Sequence, residues 1–354
     1  MLAAIRELVR SVMKLSKPYL LFLGASQSLT DCKTAAGLRD WCREDVVGQM
    51  RLPGGTVDLG LPWYSPAQAH AAGARSLVIG VAPVGGGIPE EWWPALHAGA
   101  EAGLDIVSGM HVRLRAVPGL TDAAAAHGVR LLDVRHSERS FAAATGARRP
   151  GRRVLTVGTD CALGKKYTAL ALTAALRALG IAATFRATGQ TGIMIAGGGV
   201  AIDAVIADFT AGAAEWLSPA NDPLHWDVIE GQGALFHPAY AGVTLGLVHG
   251  SQPDALVLCH DPTRSSIDGF SDFPIPSLAE AMRQYLTAAR VTNCDARFVG
   301  VSLNTSGLSG AQRRATMAAV RSEFALPVVD PMLDGAEAIA RAMVAQFPSV
   351  PPPA

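Results

Sequence analysis

The run Gly158-Thr159-Asp160-Cys161-Ala162-Leu163-Gly164-Lys165 has the G-x-x-x-x-G-K spacing of a phosphate-binding loop. The glycines let the backbone curl until several N–H groups point at one anion. A helix that follows aims the positive end of its dipole at the same place. Lys165 adds a point charge that can reach a terminal phosphate. The loop lies between an apolar run that begins at Arg153 and a helix-forming run, Ala169–Leu179, which is the strand–loop–helix context the motif requires. One position departs from the pattern. Where such loops carry Ser or Thr to hold Mg²⁺, this chain has Lys166. Thr168 is two places on, and a helix turns by about 100° per residue, so its hydroxyl cannot take that role. The loop is therefore expected to hold a polyphosphate without the usual metal site.

Other chemistry-bearing residues collect at the ends of apolar runs. Arg186 precedes Ala187-Thr188-Gly189-Gln190-Thr191-Gly192, a turn rich in donors, and a guanidinium suits a substrate carboxylate. Glu230-Gly231-Gln232-Gly233 follows the run Trp226–Ile229, where P-loop proteins carry a second acidic motif, and Glu230 can serve as a general base. His237, His249 and His260 can each accept a proton near neutral pH. Cys161 faces a helix N-terminus, which is expected to lower its pKa. Asp160 is expected to turn outward or to contact a second ligand, because facing inward it would repel phosphate. Asn304 ends a later strand-like run.

Positioning these groups calls for alternating strands and helices. Buried strands are expected at Tyr19–Gly24, Ser76–Val81, Asp105–Val107 and Val129–Val134, with helices up to Cys42, over Glu90–Gly103 and near Thr121–His127. After the P-loop come strands at Ala182–Ala187, Trp226–Ile229, Ala255–His260, Arg297–Leu303 and Pro327–Asp330. Helices are expected over Asp203–Leu217, Tyr240–His249, Ala311–Phe324 and Gly335–Gln346. Such alternation means a parallel sheet covered on both faces. Two α/β domains are expected: a Rossmann-like sheet over residues 1–145, lacking the G-x-G-x-x-G fingerprint, and a doubly wound P-loop NTPase-like domain over 146–350. The basic stretch Phe141–Arg152 reads as a solvated linker between them. Met1–Ser16 reads as an amphipathic helix, and the proline-rich tail as disordered. Ligands of such sheets bind outside the carboxyl ends of the strands.

Composition narrows the class. Hydrophobic residues make up 49% and charged residues 17% of the 354, and the formal net charge is zero. That is a compact protein with no basic excess for nucleic acid. Five scattered cysteines show no zinc-ligand spacing and fit a reducing cytoplasm, so no metal site is expected. No run approaches the roughly 18 apolar residues of a membrane span.

The segments Gly158–Thr168, Arg186–Ile195 and Asp227–Gly233 closely resemble the D-glutamate N-acetyltransferase family, long catalogued as a domain of unknown function. Lys33-Thr34, Leu52-Pro53-Gly54 and Ser108-Gly109-Met110-His111 extend the resemblance through the N-terminal half. The resemblance implies transfer of an acetyl group from acetyl-CoA to the amine of D-glutamate, ahead of a dehydrogenase-like catabolic partner. The P-loop half is also similar to dethiobiotin synthetase and its amidotransferase relatives, with Gly158–Lys165, Glu230–Gly233 and Asn304 in the places of their P-loop, acidic motif and adenine-reading asparagine. Together they imply that Gly158, Thr159, Asp160, Cys161, Gly164, Lys165, Lys166, Tyr167, Thr168 and Asn304 hold coenzyme A. Arg186, Thr188, Gln190 and Thr191 would hold the amino acid. Glu230, His237 or His260 would take the proton. An ATP- and Mg²⁺-dependent ligase or kinase acting on a small carboxylate, and a nucleotide-responsive regulator, are the alternatives. A cytoplasmic homo-oligomer acting on a small molecule, without nucleic-acid or membrane partners, is expected.

Overall fold

The computed structural model describes residues 15–29, 31–81, 86–136 and 139–348. The expectations for Met1–Lys14, for the loop at 82–85 and for the tail beyond 348 lie outside the described residues. The chain divides into two compact units. One comprises the residues up to Arg139 together with Gly189–Ala204; the other comprises Ser140–Thr188 and the residues from Val205 onward.

The first unit is built on five parallel strands: β1 (Tyr19–Phe22), β2 (Val46–Met50), β3 (Ser76–Ile79), β4 (Asp105–Ser108) and β5 (Leu131–Asp133), in the order β2-β1-β3-β4-β5. β1, β3 and β4 are buried along their whole length, which is why each has an apolar centre: Tyr19–Phe22, Leu77–Ile79 and Ile106–Val107. Helices α1 (Lys33–Trp41), α2 (Pro66–Ala71), α3 (Trp93–Glu101) and α4 (Leu120–Ala126) accompany them. α1 lies tight on the sheet: a Cβ on Gly80, just after β3, would stand 2.4 Å from that of Ala35. β2 was not expected from the sequence. Its Val-Val-Gly-Gln-Met run interrupts the apolar pattern with Gln49, which is fully buried. Its amide donates to Asp58 and to Leu61 O and accepts from Leu59 N, so the polar core residue is satisfied by a neighbouring loop.

The second unit holds six parallel strands: β6 (Arg152–Gly158), β7 (Ala183–Arg186), β8 (Trp226–Ile229), β9 (Ala255–His260), β12 (Arg297–Leu303) and β13 (Val328–Val329), in the order β13-β12-β9-β6-β8-β7. A separate antiparallel hairpin pairs β10 (Ser266–Ile267) with β11 (Phe270–Pro274). β6 is central and feeds the 14-residue α5 (Lys165–Ala178). After β7 the chain leaves this unit for α6 (Gln190–Ala196), which belongs to the first. It returns for α7 (Thr210–Leu217), α8 (Ala241–Ser251), α9 (Leu278–Ala289), α10 (Gly310–Phe324) and α11 (Glu337–Gln346). No helix among the described residues is long and apolar enough to cross a membrane.

Two expectations are corrected here. Asp203–Leu217 is not one helix. Its first half is two short 3₁₀ turns, Ile202–Ala204 and Ala207–Phe209, on either side of the point where the chain passes from one unit to the other at Ala204–Val205. Phe141–Arg152 is not a solvated linker either. Phe141 packs edge-on against Trp216, Thr145 bonds Glu215, and Arg149 donates to Gly250 O and Ser218 O. Burial pulls the Arg149 guanidinium down to about 10. Arg153, 3% exposed, donates to Ser218, Arg149 O, Gly151 O, Pro150 O and Pro219 O. Arg149 and Arg153 are thus packed into the second unit, while residues 142–148 between Phe141 and Arg149 stay exposed along its surface.

The same face of the sheet holds Asp227, 2% exposed. It accepts from Arg186 Nε at 2.9 Å and from Ser218 Oγ at 2.7 Å, and lies 3.5 Å from His225. Removing it would leave the half-buried Arg186 guanidinium without its counter-charge. Asp227→Ala is expected to lower unfolding free energy by about 3–5 kcal/mol, and Asp227→Asn by less, measured by urea titration. An Asp227→Ala variant as stable as the parent would show that this pair is dispensable.

Candidate active site

β6 delivers the chain to Gly158, and the loop turns through two left-handed residues, Ala162 at φ 52° and Gly164 at φ 99°, before α5 begins. A non-glycine residue in that region costs about 1–2 kcal/mol. Lys165 arches back over the loop. It is 6% exposed, and its Nζ donates to Asp160 O at 2.7 Å. Burial pulls its pKa below the usual lysine range. A phosphate in the loop would supply the missing counter-charge, and the first N–H groups of α5 have no partner within the helix.

The loop side chains are turned away from that anion space. Thr159 is fully buried, and its hydroxyl meets His260 Nδ1 at 2.9 Å. Asp160 is neither outward-facing nor positioned for a second ligand. It is fully buried, accepting from Arg264 Nη1 at 2.6 Å, Cys161 N at 2.6 Å and Asp268 N at 3.0 Å. The negative charge is thereby fastened to the β10–β11 arm. Thr168 points into the sheet, bonding Gly164 O and Ser302 Oγ, so it is removed from the cofactor set by the helical rotation that separates it from Lys165. Lys166 lies over the Tyr167 ring with its Nζ 4.8 Å from the centroid. The Cys161 thiol is raised, not lowered: its burial outweighs the charges of Lys165 and Arg264.

Glu230 stands at the end of β8, 3% exposed. Its Oε2 accepts from Thr188 N at 3.0 Å, and Thr188 Oγ1 donates to Glu230 O at 2.6 Å. Gly231 follows because nothing larger fits: a Cβ there would lie 1.8 Å from Thr156 O and 3.0 Å from Lys165 Cδ. Asn304 donates to Asp261 at 3.2 Å and accepts from Ser306. Arg186 turns back along the sheet face to Asp227 rather than out past the strand end, so a carboxylate clamp there would have to break that pair. Gln190 and Thr191 lie on α6 and belong to the first unit.

His237 is 2% exposed and stacks against Tyr240 and Phe270. Its Nδ1 accepts from Ala239 N at 3.1 Å, which assigns the ring proton to Nε2 and makes that nitrogen a donor. Single donor atoms of Asp160, Cys161 and His237 lie within 4.8 Å of one another, a set that transition metals favour. Ligation through Nε2 would forfeit the Ala239 bond, and Asp160 is already bound to a guanidinium. Both groups are thus already committed to protein partners.

Residues 140–340 match the P-loop domain of DUF1611, and residues 51–137 match its Rossmann-like domain, both described as domains of unknown function. The chain belongs to the DUF1611 family. A crystal structure of a DUF1611 family protein from Anabaena variabilis has 34% sequence identity and a TM-score of 0.83, covering 94% of this chain and 100% of that one. A protein from Tritonibacter scottomollicae named D-glutamate N-acetyltransferase is 50% identical over 93% of this chain and 98% of its own length. One of the same name from Pseudoalteromonas sp is 45% identical over 92% and 98%.

In this DUF1611 chain the sequence reading missed Arg264 and Tyr285. Arg264 joins Asp160 and Cys161 O, and the fully buried Tyr285 hydroxyl donates to Gly158 O at 2.8 Å, bracing the loop from α9. Neither belongs to a motif; a lone arginine before a hairpin and a tyrosine inside an amphipathic helix carry no local signal. Burial lowers the pKa of both His237 and His260. An unfolded histidine, near 6.5, therefore binds protons that the folded pair refuses, and the stability these neutral rings contribute above that pH is lost as pH falls toward their lowered folded values. His260→Asn should flatten this acid limb in melting curves recorded between neutral pH and mild acid. An unchanged limb would show that His260 titrates normally.

Proposed function

We propose that this protein is a D-glutamate N-acetyltransferase that uses acetyl-CoA. The observation that carries the reading is the pairing of near-full-length identity to two relatives of that name with a P-loop that has Lys166 where a Mg²⁺-binding hydroxyl would stand. A polyphosphate cradle without its metal hydroxyl fits the diphosphate of coenzyme A. It fits Mg-ATP poorly, since Thr168 is committed to Ser302 and Gly164. This disfavours the ligase and kinase alternative.

In this reading Gly158–Lys165 and the N-terminus of α5 hold the diphosphate, Lys165 and Lys166 supply charge, the Nε2–H of His237 adds a donor, and Asn304 reads the adenine. Acetyl transfer needs a neutral amine at the thioester carbon and donors for the oxyanion that forms there. His237, with its free nitrogen protonated, is a poor base, and His260 shares its Nδ1 with Thr159. An ionised carboxylate only accepts, so Glu230, held by Thr188 N–H, is assigned the ammonium proton. Collapse of the tetrahedral intermediate then breaks the C–S bond and expels coenzyme A as thiolate, which the proton held by Glu230 neutralises, while the second proton shed by the attacking nitrogen as the amide forms goes to solvent. The neutral net charge fits an enzyme acting without nucleic acid, and the scattered free cysteines fit a reducing cytoplasm.

Thiol release from acetyl-CoA with D-glutamate, in EDTA and without ATP, tests this directly. Lys165→Ala should weaken acetyl-CoA about 10- to 100-fold, and Glu230→Gln should lower kcat by about 10²–10⁴ with acetyl-CoA affinity retained. ADP release on adding ATP and Mg²⁺, with no thiol release, would overturn the proposal in favour of a ligase.

A further inference from the structure

The first unit carries a polar cluster that the P-loop chemistry leaves unexplained. It lies beyond the carboxyl end of β4, at Gly109, where sheets of this kind bind ligands. Gln190, from α6, packs its carboxamide straight onto Gly109: a Cβ on that glycine would lie 2.1 Å from Gln190 Oε1 and 2.7 Å from its Cδ. Gln190 Nε2 reaches Thr34 Oγ1 at 3.5 Å, and Thr34 bonds the buried Thr191 hydroxyl at 3.0 Å. Gln190 Oε1 is buried and has no hydrogen-bond partner among the described residues.

An orphaned carbonyl oxygen costs about 1–3 kcal/mol and calls for an explanation. Beside it stands a cation. Arg135, just past β5, has a side chain only 10% exposed, and its Nε donates to Gly109 O at 2.9 Å. A second contact goes to Asp203. Two of the five donors of a guanidinium are thus accounted for. Gly109 is therefore flanked by an acceptor without a donor and a nearly buried, planar cation. His111, two residues on, has its pKa lowered by partial burial and by the charge of Arg135, so it adds no competing positive charge near neutral pH. Nearby His136 bonds His111 O at 2.8 Å.

We infer that Gln190 and Arg135 form an α-amino-acid site in the first unit, Gln190 Oε1 accepting from the ligand ammonium and Arg135 donating to its carboxylate. A zwitterion is the ligand class that supplies both partners at once. Turning the amide end for end would exchange the two contacts and still call for a ligand with a donor and an acceptor. Gly109 is obligatory because a side chain there would displace the Gln190 amide. That D-glutamate is the ligand rests on the proposed acetyl transfer; the site itself does not.

The test is steady-state kinetics of the full-length protein with Gln190→Leu, which removes the polar atoms at similar volume, and Gln190→Glu, which keeps an acceptor. Circular dichroism melts would confirm folding. Gln190→Leu should raise the D-glutamate KM about 10- to 100-fold, with the acetyl-CoA KM unchanged within about twofold and Gln190→Glu binding better than Gln190→Leu. Arg135→Lys should move the same KM in the same direction. A folded Gln190→Leu with the parental D-glutamate KM would overturn the site while leaving the acetyltransferase intact. If the parent transfers no acetyl group, that reading fails by itself, and calorimetric titration with D-glutamate, L-glutamate and glycine decides the site. Binding of any of them that is lost in Gln190→Leu supports it, and binding of none overturns it.

Discussion

A loop that receives a phosphate must leave its backbone N–H groups open at the centre, so every side chain in it needs another destination. Asp160 poses the sharpest case, because an uncompensated buried carboxylate costs several kcal/mol and would repel the ligand. The structure resolves this by turning Asp160 onto Arg264 and the N–H of Asp268. Thr159 goes to His260, Thr168 to Ser302, and Lys165 folds over to Asp160 O. The loop is held open by contacts that point out of it, and the β10–β11 arm is fixed to the loop by the charge it neutralises.

Close approach is the second constraint on this unit. Gly231 brings the β8 end against Thr156 O with no room for a methyl group, and the aliphatic stem of Lys165 runs across the same spot. The glutamate before it is thereby held at the strand end, with Thr188 fixing its carboxylate. Tyr285 supports the floor of the loop from α9 by donating to Gly158 O. The P-loop and the carboxylate are thus two products of one packing arrangement, in which the Lys165 stem crosses the end of the strand that carries Glu230.

The first unit follows the other use of a parallel sheet. Its inner strands are buried, and a group of its polar residues gathers beyond their carboxyl ends, where the backbone turns and side chains from successive crossovers converge. The segment Gly189–Ala204 supplies part of that gathering although it lies far along the chain. Thr34, Gly109, Arg135 and Gln190 are distant in sequence, and the sheet order makes them neighbours.

The sequence by itself determined the parallel α/β class, the P-loop and its missing hydroxyl, and the strand that ends in Glu230. These are local facts: unbroken apolar runs, glycine spacing and the residue after a lysine depend on a few consecutive positions. It could not show β2, whose Gln49 is satisfied by a loop about ten residues on, nor the break in Asp203–Leu217, which falls where the chain changes units. The direction of each long polar side chain was decided by tertiary structure alone. Arg186 turned to Asp227, Asp160 to Arg264, and the basic stretch around Arg149 became packing, because a buried charge is oriented by whichever partner the fold brings within reach.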